Sequence, residues 1–398
     1  MDAERLKQLA CDEVDRLAAT LIDVSHQIHA RPELSNEEHF AHGLLTEVIE
    51  GRGLGVERGA YGQPTAFSAV AGHEGPRVAV LCEYDALPGI GHACGHNVIA
   101  AAGLGAGLAV ASVAQQAGGT VVLLGTPAEE GAGGKIMMAR NGAFDDLQAA
   151  MMVHPADADL IRMDAIAIQQ LTATFHGRAA HAAAAPEQGR NALDAAVLSY
   201  MNVAALRQHI GESERIHGCF TNGGGAPNIV PAEAALSWFV RSPTFATLAP
   251  LKDRVQACND AGALACGCTL TSEWDTFPYA DVRDNGPMVE SYVANAARVG
   301  RHPQDPSVVG KRVVGSTDMG NISYLVPSIH PMVQVAPAGV PIHTPDFAAW
   351  AGREQGDRAV IDSAKIMAMT VIDLWTDHTL RGSVATAFAA VGPDRSVL

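Results

Sequence analysis

The spacing of apolar positions changes along the chain, and each change marks a different kind of structure. Residues 3–30 place apolar side chains every three or four positions, which predicts a long amphipathic helix. Ser35 followed by Glu38 has the spacing of a capping box and predicts a second helix running to about Glu50. From about Thr65 to Val153, short apolar runs alternate with helical stretches, the mark of a mostly parallel α/β sheet. One of those stretches, Val98–Gln115, is rich in Ala and Gly and free of proline.

Beyond Val153 the texture shifts. Gln169–His176 alternates like a half-buried strand, and Asn191–Gln208 reads as a helix. Ile216–Thr221 and Ala234–Arg241 read as strands, Thr247–Ala261 as a helix and Cys268–Trp274 as a strand. This β-α-β-β-α-β order is the split pattern of a ferredoxin-like domain. The first texture then resumes, with a helix at Pro287–Val299, a strand at Met332–Val335 and a last helix at Arg358–Trp375. The predicted class is α/β. A domain of residues 1–167 and 279–398, with a central mostly parallel sheet, is interrupted by a smaller ferredoxin-like α+β domain of residues 168–278.

Composition narrows what such a chain can do. At 398 residues it exceeds one comfortable core, in keeping with two domains. The formal net charge of −16 comes without any Lys/Arg cluster longer than two, so nucleic acid and anionic membrane are poor partners. No apolar run reaches the ~18 residues of a transmembrane helix. The opening Met-Asp-Ala-Glu-Arg lacks the basic and apolar regions of a secretion signal. Seven scattered cysteines, an odd number, suit a reducing cytoplasm better than a disulfide framework. Cys266 and Cys268 are too close for an ordinary structural bridge and read as thiols.

The candidate chemistry lies at strand ends. Residues Gly91 to Asn97 read Gly-His-Ala-Cys-Gly-His-Asn, directly after the apolar run Val78–Cys82 and a turn at Asp85–Gly89. One thiol and two imidazoles in five residues suit zinc and its first-row neighbours, although a buried cysteine with two satisfied histidines fits the same letters. A second apolar strand from Val121 ends in Thr-Pro-Ala-Glu-Glu, with Glu129 and Glu130 adjacent. Paired carboxylates repel unless a cation is near. The Gly-rich tail ending in Lys135 is no phosphate loop, because Glu129 stands at its first glycine and Ile136 where Ser or Thr must hold magnesium. A third strand, Ala149–Val153, ends in His154-Pro155. Three successive strand ends thus deliver metal-type donors, at the place where open α/β sheets carry their sites.

These residues, with further stretches, resemble the M20 metallopeptidase/aminoacylase family, in the amidohydrolase branch with a Cys-Gly-His motif and within it the aminoacylase-1-like-2 group. The stretches that carry the likeness include His29–Leu34, Tyr84–Pro88, His92–Asn97, Gly125–Glu130, His154-Pro155 and Gly177–His181. Gly223–Pro231, Gly315–Gly320 and Ile342–Phe347 continue it, so it covers nearly the whole chain in order. Asn97 stands where the auxin-conjugate hydrolases of the same branch carry Asp, which bears on subgroup alone.

The resemblance implies a catalytic domain interrupted by a lid or dimerisation domain, and a two-metal hydrolase of an amide bond. Its substrate would be an N-acyl amino acid, an aminoacyl conjugate or a small dipeptide, the β-alanyl type included. Cys94, His96, Glu130, His154 and His343 match the family's ligands for two divalent ions (zinc, manganese or cobalt), with Cys94 shared between them. Glu129 matches the general base, and His181 a histidine of the inserted domain, often from the partner of a homodimer, that polarises the scissile carbonyl. Asn228 matches a substrate contact, and Arg241 is a candidate to pair with a substrate carboxylate. Asp85 reads either as second-sphere support for a ligand or as a plain turn residue. His330 reads as supporting or structural, and His26, His29 and His39 as non-ligands. A metal-binding relative without catalysis would share the ligands, but Glu129 and His181 are both present. A nucleotide-dependent enzyme is disfavoured because Gly103–Gly107 falls inside a predicted helix. A zinc nucleobase deaminase is disfavoured because its paired motifs are missing.

Overall fold

The first helix, Ala3–Ala30, buries Leu6, Ala10, Val14, Leu17, Leu21, Val24 and Ile28, one stripe at spacings of three and four. It belongs to a computed structural model that describes residues 2–309 and 314–398. The chain divides into two compact units, one of residues 1–165 with 282–396 and one of residues 166–281.

The first unit is built on a six-stranded sheet. Its strands lie in the order Val56–Arg58, Phe67–Ala71, Thr120–Thr126, Arg77–Glu83, Ala149–Met151 and Ser328–Ile329. The last four run parallel and the first two form an antiparallel margin. Val78, Val80 and Cys82 point into one apolar core while Ala79 and Leu81 point into another, so this central strand is covered on both faces. That double burial is why it reads as a continuous apolar run rather than an alternation. Helices Ala3–Ala30, His96–Ala111 and Glu354–Thr376 pack together in the larger core. A short parallel pair, His154–Ala156 with Met332–Gln334, continues the chain beyond Ala149–Met151.

The second unit has a four-stranded antiparallel sheet. Its order is Thr269–Trp274, Ala167–His176, Glu233–Ser242 and Arg215–Asn222. With helices Ala192–Leu206 and Phe245–Ala265, chain order is β-α-β-β-α-β, the ferredoxin-like arrangement. Along Ala167–His176 every second residue is buried, and Leu171, Ala173 and Phe175 join the core beneath the helices.

Three local expectations fail for physical reasons. Ser35 and Glu38 do not form a capping box. The helix His39–Gly51 takes its terminal bonds from upstream, where the Glu33 carboxylate accepts the N–H groups of Phe40 and Ala41 at 2.8 and 3.0 Å. Glu38 is thereby free to turn inward, where it accepts from Thr65 and from the N–H of Ala128, while Ser35 donates to Asp85. The helix expected to begin at Arg358 begins at Glu354. A further helix follows it, His378–Val391, capped by Asp377, and the apolar pattern hides it because Val384 is its one buried residue. The helix expected over Val98–Gln115 starts at His96 and ends at Ala111.

Candidate metal centre

Strand Arg77–Glu83 ends where the chain makes a tight turn, Leu87 donating its N–H to Gly91 at 3.0 Å. The chain then reaches Cys94, Gly95 and His96. Gly95 has φ +78, and a Cβ there would lie 2.8 Å from the Pro155 ring. Only glycine permits both the left-handed turn and that approach. The contact brings the start of strand His154–Ala156 against the Cys-Gly-His turn, so donor atoms of Cys94, His96 and His154 lie within 4.8 Å of one another. Cys94, Glu130 and His343 form a second such group, sharing Cys94 with the first. Glu83, His96 and Glu129 form a third, sharing His96.

The three histidines and Glu130 are positioned by backbone or carboxylate contacts. Asp85 Oδ1 accepts from His96 Nδ1 at 3.1 Å, and its Oδ2 accepts the Glu130 N–H at 2.9 Å. Asp85 thus bonds to one residue from each of two strand ends. His154 Nδ1 donates to the Pro155 carbonyl at 2.8 Å, leaving Nε2 to face the cluster. His343 is held at φ 63 with its N–H on the Ala93 carbonyl at 2.9 Å, and its Nε2 lies 3.0 Å from Cys94 Sγ. Ala128, just before the glutamate pair, also has positive φ, at 61. Non-glycine residues in this region store strain, and such residues collect at functional sites. The ring of His343 is half-exposed whereas His96 is fully buried, so the cluster opens to solvent on the His343 side.

The electrostatics suit a cation. His96 Nε2 lies 3.1 Å from Glu83 Oε1 and 3.7 Å from Glu130 Oε1. Yet all three atoms are buried without a hydrogen-bond partner among the described residues. Orphaned polar atoms cost free energy unless something binds them. Burial, then Glu130, pushes the Cys94 thiol well above its usual range. Burial would depress His96, but Glu83, Asp85 and Cys94 hold it well above the ordinary histidine value. Burial and the nearby His96 push His154 down to about 4. Burial, then Glu83 and Glu130, drives Glu129 well above the carboxylate range. A thiol that stays protonated and a carboxyl that resists ionising are what a divalent ion would reverse. The mixed S, N and O donor set fits zinc, cobalt or manganese.

Three buried members of the cluster are not evident from sequence. Lys135 places its Nζ between Glu83 and Asp318, 2.7 Å from Asp318 Oδ1, and its N–H donates to Asp318 Oδ2 at 2.8 Å. In sequence Lys135 suggests only a phosphate loop, and Asp318 is one letter of Gly-Ser-Thr-Asp-Met-Gly with no role attached to it. Glu83 does leave a signal: it is a charged residue closing a strand that is buried from Val78 onward. His330, read in sequence as supporting or structural, sets its ring edge-on to that of His154 at 5.5 Å between centroids.

His181, Asn228 and Arg241 belong to the second unit. His181 pairs with Ile229 in a short antiparallel bridge, and the Asn228 carbonyl accepts the Ala182 N–H at 3.0 Å. Both side chains are exposed. Arg241 sits at the opposite end of strand Glu233–Ser242 from that bridge, half-buried, with Nε 3.3 Å from His217 Nε2. The structure thus joins His181 to Asn228 and sets Arg241 apart from them within this unit.

The sequence model of peptidase family M20/M25/M40 matches residues 79–359. The chain belongs to that family. This M20 chain is 38% identical over 387 residues to the Xaa-Arg dipeptidase of Mus musculus, covering 94% of this chain and 90% of the relative. It is 31% identical to one chain of the p-aminobenzoyl-glutamate hydrolase of Escherichia coli (strain K12), covering 92% of this chain and 91% of that one. Among solved structures, the YxeP protein of Bacillus subtilis, described as a dinuclear metal-binding peptidase of the M20 family, superposes with a TM-score of 0.69 at 18% identity. That superposition covers 90% of this chain and 99% of the other. The M20 chain is a metal-dependent amide hydrolase acting on a small substrate. None of its described helices is long and apolar enough to cross a membrane.

Proposed function

We propose that this hydrolase cleaves the amide bond of dipeptides with a cationic C-terminal residue, with N-acyl amino acids and other aminoacyl conjugates as secondary substrates. The observation that carries the site assignment is the pair of donor groups joined at Cys94, with Glu129 beside them. Cys94, His96 and His154 would hold one divalent ion and Cys94, Glu130 and His343 the other. Two such ions would supply Lewis acidity and would make water acidic enough to lose a proton near neutral pH. Glu129 then accepts a proton from the attacking water and returns it to the leaving amine. His181 donates to the oxygen on which charge develops and Asn228 holds the substrate beside it, whereas Arg241, at the opposite end of its strand from both, is not assigned a substrate contact. The preference for a cationic substrate is supported by the Xaa-Arg dipeptidase relative and by the net charge of −16, which attracts cations and repels a second carboxylate.

We read the ferredoxin-like domain of residues 168–278 as the lid and dimerisation unit and the protein as a cytoplasmic homodimer. Strand Arg215–Asn222 is a sheet edge, and Phe220 on it with Val197, Leu198 and Met201 on the neighbouring helix are each at least 41% exposed. Exposed edges and apolar patches of this kind are commonly covered by a second copy. Seven cysteines without a disulfide support a reducing compartment.

The test is release of amine from a panel of Xaa-Arg and Xaa-Lys dipeptides, β-alanyl dipeptides, N-acetyl amino acids and p-aminobenzoyl-glutamate. It uses protein stripped by chelator and reloaded with zinc, manganese or cobalt. Activity confined to the reloaded enzyme and highest on the cationic dipeptides is expected. Full activity after chelation refutes the metal reading, and a preference for p-aminobenzoyl-glutamate refutes the substrate class. Metal uptake without turnover on any member marks a non-catalytic relative.

A further inference from the structure

Two of the three donor groups at the centre compete for one atom. Asp85 occupies His96 Nδ1, so Nε2 is the single nitrogen that His96 can offer. With Nδ1 taken, both the group of Cys94, His96 and His154 and the group of Glu83, His96 and Glu129 would draw on that Nε2. The two sets differ in hardness: sulfur with two nitrogens in one, two carboxylate oxygens with one nitrogen in the other. The second set is a built site. Glu83 is 1% exposed, and Lys135 clamps its Oε2 from the far side, with Asp318 steadying the lysine. Its Oε1 remains without a hydrogen-bond partner and points at His96 Nε2 from 3.1 Å.

We propose that the cation on the His96 side has two mutually exclusive seats, and that the hardness of the ion chooses between them. A soft or borderline ion such as zinc takes Cys94, His96 and His154. A harder ion such as manganese takes Glu83, His96 and Glu129, because carboxylate oxygens suit it better than thiolate. In the second seat Glu129 is a ligand and is withdrawn from proton transfer, so turnover requires the ion to return to the first seat, and manganese supports activity to the extent that it does. The inference rests on the ligand assignments proposed above. It makes Glu83 a selector of metal placement, with Lys135 and Asp318 as its support.

The sulfur content around each metal tests this without reference to turnover. When both ions contact Cys94, each has one sulfur neighbour. When the His96-side ion moves to Glu83 and Glu129, one ion has a sulfur and the other has none, an average of one half. X-ray absorption on wild-type protein loaded with two equivalents of zinc is expected to give about one sulfur per metal, and with manganese about one half. In E83Q the manganese value is expected to rise to about one. Equal sulfur counts for the two metals in wild type overturn the two-seat inference while leaving the ligand assignment intact. A zinc sample without sulfur, or binding fewer than two ions per chain, overturns the assignment itself. The wild-type comparison decides the matter even where E83Q folds poorly.

Discussion

Replacing Glu38 with Ala tests how the fold aims the glutamate pair. Glu38 Oε1 accepts the N–H groups of Asn36 at 3.0 Å and Ala128 at 2.8 Å, and Oε2 accepts the Thr65 hydroxyl at 2.8 Å. Glu38, Thr65 and Ala128 are all buried, so Glu38→Ala leaves the Ala128 N–H and the Thr65 hydroxyl without a partner. Each orphaned buried group costs roughly 1–3 kcal/mol. Two effects offset part of that. Burial raises the Glu38 carboxyl above its usual range, so the folded state gives up some stability to hold it ionised, and water can enter the space left behind. A net loss of about 2–4 kcal/mol is expected. The functional effect follows from Ala128 at φ 61, a conformation costing an alanine ~1–2 kcal/mol that the Glu38 bond helps to hold. Once released, Ala128 relaxes and carries Glu129 with it, and a displacement near 1 Å costs up to ~10²-fold in rate. Glu130 is held separately by Asp85, so metal content should survive. Urea unfolding, kcat and metal analysis of Glu38→Ala and Glu38→Gln are the assays. Gln keeps an acceptor for Ala128 and is expected to lose less than half as much of both quantities. An Ala variant within ~0.5 kcal/mol of wild type with unchanged kcat would refute the reasoning, since that is the scatter of an ordinary surface substitution.

Three further outcomes are expected. Glu129→Gln should keep both metal ions and lose at least ~10² in turnover, the scale of general-base catalysis, whereas Glu130→Gln should lose metal; equal metal loss in both would show the pair divided wrongly. Gly95→Ala places a Cβ 2.8 Å from Pro155 at φ +78 and should lower metal affinity with the helical content kept, as read by titration against a chromophoric chelator; unchanged affinity would remove Gly95 from the argument. His181→Ala should fold and bind metal normally but turn over ~10²–10³-fold more slowly, and mixing it with Glu129→Gln should restore part of the rate if the site is shared between protomers; a variant of normal rate would exclude His181 from the chemistry.

What could be read in the sequence divides by the range of the interactions concerned. The stripe from Leu6 to Ile28 and the alternation over Ala167–His176 are local patterns, each set by one face meeting a core, and they suffice for the helix, the strand and the ferredoxin-like order. Cys94, Glu130 and His154 can be picked out because each follows an apolar strand in sequence. The failures are of another kind. Glu38 has the letter and spacing of a cap, but its partner Ala128 lies 90 positions away, and no local rule says that Glu33 will take over the helix N–H groups. Lys135 and Asp318 are separated by 183 positions, and neither is informative until the other is placed beside it. His378–Val391 escapes detection because a helix with one buried residue has almost no apolar period.

The same distinction explains why the centre needs residues that bind nothing. A donor at a strand end is free to swing, and a cluster of swinging donors has no preferred ion. Here the freedom is removed by groups outside the donor set. Asp85 ties His96 to the Glu130 backbone, the Pro155 carbonyl fixes the His154 tautomer, and the Ala93 carbonyl holds His343 in a strained backbone conformation. Lys135 does the same for Glu83 while neutralising part of the charge that Glu83, Glu129, Glu130 and Asp318 would otherwise concentrate in one buried volume. Partners of this outer kind commonly change metal affinity or activity by ~10–100-fold when removed. Losing Asp85 should therefore disturb donors of both Cys94-sharing groups together, whereas losing Lys135 should act mainly through Glu83, the carboxylate it clamps on the His96 side. Comparing the metal affinities of Asp85→Asn and Lys135→Met at the two positions would separate these effects, and matching losses at both positions in Lys135→Met would show that its charge serves the whole cluster rather than one carboxylate.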